Sequence, residues 1–235
     1  MSKVDEDGRR VVKYWGSGVF DMKEKLSKIQ GNQVPFVSIA LVVINIVTFL
    51  ISEHDGGHLF DVGALSVNGV LVNGEYGRFL WSMFLHADVE HIMNNMVILY
   101  FMGTMIEKEI GHLPYGIIYF LSGIGGGLLS LYVKLRSGNP VGSVGASGAI
   151  FGLDGLLLAM VLFYRKPMPM VTPLRVILMI ALSLYSGLTA DNIDNAAHYG
   201  GVLTGLILGA LFCLVKRYSK GSGNVNPFGE DDDLD

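Results

Sequence analysis

The feature that most constrains this chain is where its charges lie. Of 38 Asp, Glu, Lys and Arg residues in 235, only 18 fall in the 182 residues from 34 to 215, and the other 20 crowd into the two ends. An ordinary soluble domain carries about one charged residue in four, and this middle section has about one in ten. With a mean hydropathy of +0.46, such a segment lacks the polar residues to cover itself in water. The same pattern excludes a disordered chain. It also excludes a disulfide scaffold, because Cys213 is the single cysteine. The net charge of −4 decides little, and no basic patch interleaved with aromatics supports a nucleic-acid partner. Glycine is in excess, at 31 residues, without a collagen-like period. Apolar helices packed closely on glycine would account for it.

A bilayer core about 30 Å thick needs about 20 apolar residues of helix. Six runs approach that length: 34–52, 91–110, 113–135, 147–164, 173–189 and 195–215. The expected fold is therefore all-α, a bundle of six transmembrane helices. Six spans place both ends on one side. Fourteen Lys and Arg then fall on that side and three (Arg78, Lys134 and Arg136) on the other, so the positive-inside rule puts both termini in the cytoplasm. Three regions follow: a soluble, partly helical tail over 1–33, a membrane domain over 34–215 and an acidic tail over 216–235. The first tail mixes seven Lys/Arg with five acids and has no cleavage pattern, so it does not read as a signal peptide. The 38-residue connection 53–90 carries apolar stretches at 59–62, 70–72 and 79–85 that are too short to span. They suit short helices lying at the membrane interface.

Polar residues inside apolar runs are expensive and mark sites. Ser147 lies in the segment Gly-Ser-Val-Gly-Ala-Ser-Gly (142–148) and opens the fourth run. A serine at a helix N-terminus lies beside unpaired N–H groups and the positive end of the macrodipole, which can stabilise an oxyanion. Taken alone it can equally be a plain capping serine. His198 lies near the start of the sixth run, followed by Gly201, Gly205 and Gly209 at four-residue spacing; the fourth run offers Gly148, Gly152 and Gly155. If these faces pack together, Ser147 and His198 meet at one depth, and a serine beside an imidazole is a workable nucleophile. By itself His198 can be a packing histidine. His91 and Asn95 are four apart on one helix face, and both can donate hydrogen bonds. Interfacial capping is their ordinary alternative. His86 lies just before that helix.

Together these residues resemble the rhomboid family of intramembrane serine proteases, over about 34–215. Gly145-Ala146-Ser147-Gly148 matches the nucleophile motif. Ala197-His198-x-x-Gly201-x-x-x-Gly205 matches the base motif, and His86, His91 and Asn95 the histidine/asparagine motif. Arg78 falls where the family has a Trp-Arg pair, although Gly77 stands in place of the tryptophan. The resemblance implies a Ser-His dyad with no third acid: Ser147 the nucleophile, His198 the general base, Asn95, His91 and the Ser147 N–H holding the oxyanion. Phe151 matches an aromatic that stacks on the histidine. Implied partners are the lipid bilayer and single-span membrane proteins, cut at small residues near the outer face. The implied setting is the plasma membrane of a bacterium. No cofactor or metal is implied. The alternative is an inactive relative that binds or routes membrane proteins without cutting them; such relatives lack the serine or the histidine.

Asp154 lies seven residues after Ser147, on the same helix face but about 10 Å deeper. That is too far for a third catalytic member, and it is expected to act as interior polar glue toward Thr204 or Asn45. Leu153-Asp154-Gly155 echoes intramembrane metalloproteases, but the chain has no His-Glu-x-x-His helix, so zinc is not expected. A transporter would pair polar residues at mid-membrane on internal repeats, and here they gather near the helix ends.

Overall fold

The computed structural model describes residues 3–4, 10–11, 34–163, 171–189 and 193–222. The N-terminal tail, apart from a short antiparallel pairing of β1 (Lys3–Val4) with β2 (Arg10–Val11), and the acidic tail beyond residue 222 lie outside the described residues. The rest is helical. In chain order come α1 (Phe36–Ser52), α2 (His58–Gly63), a π-turn over Asn68–Val72, α3 (Arg78–Trp81) and a 3-10 turn over Ser82–Phe84. Then follow α4 (Val89–Ile98), a second π-turn (Leu99–Gly103), α5 (Thr104–Ile110) and α6 (His112–Ser137), and finally α7 (Ser147–Phe163), α8 (Pro173–Thr189) and α9 (Asn195–Ser222).

Helix α7 is the centre of the bundle. Beyond Ser147 and apart from Asp154 it is apolar on every side, as a helix surrounded by others must be, and 12 of its 17 residues are buried. Helices α6 and α9 pack against it and against each other. The core between them is filled by Tyr115 and Tyr119 of α6 and by Leu153, Leu156 and Met160 of α7, all without exposed surface. A smaller cluster of Leu65, Val70 and Leu131, flanked by Val67 and Phe79, anchors the 53–90 connection on α6.

The outward faces are apolar too. On α9, Leu203, Ile207, Leu211 and Leu214 recur every three or four residues, and each is more than half exposed. A water-facing helix would carry polar residues there; a lipid-facing one would look like this. Two helices, α6 and the 195–216 part of α9, are long and apolar enough to cross a membrane by themselves, while Phe36–Ser52, Ser147–Phe163 and Pro173–Tyr185 are shorter apolar helices. The stretch read as one run over 91–110 starts earlier, at Val89, because Asp88 caps it by accepting the His91 N–H at 2.7 Å. The second π-turn then interrupts it.

One buried carboxylate fixes the entry to α1. Pro35 offers no side-chain cap, so the first-turn N–H groups need acceptors from elsewhere. Glu107 of α5 supplies them. It accepts the N–H of Val37 at 2.9 Å, the N–H of Ser38 at 2.7 Å and the Ser38 hydroxyl at 2.6 Å. His112 Nδ1 lies 2.5 Å from Oε1, the oxygen that also takes the Val37 N–H. Thus α1 is pinned to the corner where α5 turns into α6 at Gly111.

Candidate active site

Three segments bring the site together. The first is the turn into α7. Gly145 has φ +122°, a conformation open to glycine and strained for other residues. Its N–H donates to the Ser82 carbonyl at 2.8 Å, tying the turn to the 53–90 connection. Ala146 follows, buried, and Ser147 opens the helix. The second segment is the start of α9, which carries His198 one turn inside. The third is α4, with His91 and Asn95 one turn apart.

The close approach of α7 and α9 is made by glycine. A methyl group on Gly201 would overlap the Gly148 carbonyl oxygen, and one on Gly205 would overlap that of Gly152. With hydrogens there instead, the two backbones touch, and Ser147 Oγ stands 3.0 Å from His198 Nε2. The Phe151 ring stacks on the imidazole, centroids 4.1 Å apart and planes at 20°. Both rings are buried, so the imidazole has little freedom to swing away. His198 Nδ1 is buried without a hydrogen-bond partner among the described residues, so no third acid engages it there.

His91 and Asn95 converge on the same turn. A Cβ on Gly145 would lie 2.7 Å from His91 Nε2 and 3.7 Å from Asn95 Nδ2. The Asn95 amide nitrogen is buried and has no acceptor among the described residues. An unpaired buried donor is rare and calls for an explanation; a negatively charged reaction intermediate is the kind of acceptor it would suit. Behind them, His86 is fully buried, and its Nε2 accepts the Ala146 N–H at 3.5 Å. Its ring meets His91 edge-on with centroids 5.1 Å apart. Burial, with His91 beside it, holds the His86 imidazole down at about 4, against the opposing pull of the Phe84 carbonyl and Asp88. His86 is therefore a neutral acceptor for the loop that presents Ser147.

Other sequence expectations fall elsewhere. Arg78 is buried, donating to Glu75 at 2.6 Å and to the Ala64 carbonyl at 2.8 Å. Both partners belong to the 53–90 connection, so Arg78 braces that segment and does not join the Ser147–His198 contact. The partners expected for Asp154 are corrected. The Thr204 hydroxyl donates to the Gly200 carbonyl, and the Asn45 amide to the Leu41 carbonyl. Both side chains thus donate to carbonyls of their own helices one turn back, and Asp154 is buried in α7. Among the described residues no cluster of His, Cys, Asp and Glu could hold a metal ion.

The sequence reading missed Asp194, which directly precedes α9. Its carboxylate accepts the Ala197 N–H at 3.1 Å, capping the helix, and hydrogen bonds from the hydroxyls of Ser130 and Ser143. Lys134 Nζ lies 3.6 Å away. Burial alone would raise the Asp194 pKa, but the two hydroxyls, the N–H and Lys134 together hold it below the usual value. An aspartate just before an apolar run is a recognisable cap signal; its two serine partners have no such signal.

A serine hydroxyl on an imidazole, with spare donors beside it, is the constellation of a serine hydrolase, here set among apolar helices. Comparisons with known proteins place the chain in a family. The family model of the rhomboid domain matches residues 73–215. RHOMBOID-like protein 1 of Arabidopsis thaliana is 38% identical over 173 residues, 72% of this chain and 42% of its own length. Rhomboid protease GluP of Bacillus subtilis is 32% identical over 190 residues, 79% of this chain and 36% of its own. Rhomboid-type serine protease 2 of Emericella nidulans is 35% identical over 160 residues, 67% of this chain and 29% of its own. The chain spans less than half the length of each of these relatives. It belongs to the rhomboid family, a family of integral membrane proteins that includes serine proteases.

Proposed function

We propose that this chain is an intramembrane serine endopeptidase that cuts single-span membrane proteins at small residues near the outer membrane face. The observation that carries the reading is the 3.0 Å contact between Ser147 Oγ and His198 Nε2. In this reading Ser147 attacks the scissile carbonyl carbon while His198 Nε2 takes its proton. As the Ser147 Oγ–C bond forms, the π pair of the C=O bond moves onto the carbonyl oxygen, and this oxyanion is held by the Ser147 N–H, Asn95 Nδ2 and His91. Collapse of the intermediate breaks the C–N bond, and His198 gives its proton to the leaving amine. Water then attacks the acyl ester with His198 again as base, releasing the second product and restoring Ser147. Phe151 supports the reading, because a stacked imidazole needs no acid to orient it.

The membrane setting belongs to the same proposal. Six spans built on α1, α4–α5, α6, α7, α8 and α9 form the domain over 34–215, with the 53–90 connection at the outer interface. The tails 1–33 and 216–235 lie in the cytoplasm of a bacterial cell. The test is cleavage of a single-span substrate by the purified full chain in liposomes. The parent is expected to cut, and Ser147→Ala and His198→Ala to be slower by about 10³-fold or more. Variants that cut as fast as the parent would contradict the dyad. A parent that binds the substrate and leaves it whole would favour the non-cutting alternative.

A further inference from the structure

The protease reading uses Ser147, His198, His91 and Asn95 and leaves the best-connected carboxylate near them without a role. Asp194 sits four residues before His198, and its two oxygens face different structures. Oδ1 takes the Ala197 N–H and so belongs to the base's own helix. Oδ2 takes the hydroxyls of Ser130, on α6, and Ser143, four residues before Ser147. Each serine has one proton, and both point to the carboxylate. The 2.9 Å between the two serine oxygens is the third side of that triangle. Ser143 is in turn paired by its backbone with Leu65, N–H to carbonyl in both directions at 2.8 and 2.9 Å. One side chain thus joins the helix of the imidazole, the loop of the hydroxyl, α6 and the 53–90 connection.

The need for such a joint follows from the glycines. The residues that let α7 and α9 touch have no side chains to interlock, and Ser147 leaves a turn built on Gly145. A change of about 1 Å in the 3.0 Å contact is enough to break it. Resting on the protease reading above, we propose that Asp194 is the positioning residue of this site. It tethers the Ser143 loop to the start of α9, so that Ser147 is held on His198. It touches no reacting atom and acts through the geometry of the two that do.

Two roles must be separated, capping and tethering. Asp194→Ser keeps an oxygen for the Ala197 N–H but cannot reach both serines. Ser143→Ala leaves the cap intact and removes one strand of the tether. In liposomes with a single-span substrate, the proposal expects Asp194→Ala to lower kcat at least tenfold, with KM within twofold of the parent. It expects Asp194→Ser to recover the unfolding temperature of the parent but not its kcat. Ser143→Ala should lower kcat several-fold at an unchanged unfolding temperature. A fluorophosphonate should label Ser147 more slowly by matching factors. Parental kcat in Ser143→Ala, or full recovery of kcat in Asp194→Ser, would overturn the tether and leave a plain helix cap. If Asp194→Ala does not fold, Ser143→Ala decides alone. A parent that does not cut, or that cuts equally well as Ser147→Ala, would instead remove the protease reading beneath it.

Discussion

At the scale of single residues, Gly145 concentrates two constraints in one position. Its φ of +122° disfavours any side chain, and the methyl of alanine would press on His91 Nε2 at 2.7 Å. Gly145→Ala should therefore cost about 1–3 kcal/mol of stability. It should also slow cleavage by about 100-fold, since a displacement near 1 Å at a catalytic group has that effect. Unfolding midpoints and kcat in the same detergent check both; parental values of both would contradict the crowding described here. His86 gives a prediction in pH. Its native value of about 4 lies below the unfolded value of about 6.5, so the native chain refuses a proton that the unfolded chain accepts. The stabilisation is complete above pH 6.5 and is lost as pH falls from there through 4. The size is about 3 kcal/mol for this fully buried ring. His86→Gln keeps an acceptor for Ala146 and cannot titrate, so its stability should fall less than the parent's over that range. Parallel curves would show that His86 does not carry the effect.

At the scale of elements, the contact of α7 with α9 decides whether the site exists. Gly205→Ala puts a methyl on the Gly152 carbonyl oxygen and must push the helices apart, at about 1–3 kcal/mol, with loss of cleavage. Leu203→Ala on the same helix faces outward, 57% exposed, and should change stability by under about 0.5 kcal/mol. Equal effects of the two in denaturant titrations would contradict the packing. The bounds of α8 and the starts of α7 and α9 were legible, because Pro173, Ser147 and Asn195 stand where polar or turn residues give way to apolar runs. That Ser147 and His198 could meet at one depth was legible too, and they stand 3.0 Å apart. The two glycine rows showed which faces could meet. The Asp194 joint was not legible. Its serine partners are 51 and 64 residues away in the chain, and only tertiary packing selects those two from the others. The tie between α1 and Glu107, 69 residues apart at Ser38, was hidden for the same reason. The helix α4 begins two residues before the apolar run 91–110, at the Asp88 cap, because capping and not hydropathy sets its start.

For the whole molecule, the uneven charge of the chain becomes a statement about orientation. If the six proposed spans are right, fourteen of the seventeen Lys and Arg lie on the side of the termini, and both ends should be cytoplasmic. In a Cys213→Ser background, a cysteine at Ser27 or Ser222 should react with an impermeant maleimide only after the cells are opened. One at Asn139, in the connection after α6, should react from outside. The reverse pattern would invert the proposed outer site. The central claim remains that His198 makes Ser147 a nucleophile at the meeting point of α7 and α9. Its most direct measurement is the reaction of the purified full chain with a fluorophosphonate, with the modified residue located by mass spectrometry. Near-stoichiometric label on Ser147, strongly slowed in His198→Ala, is expected. Label spread over other serines, or unchanged labelling of Ser147 without His198, would contradict it.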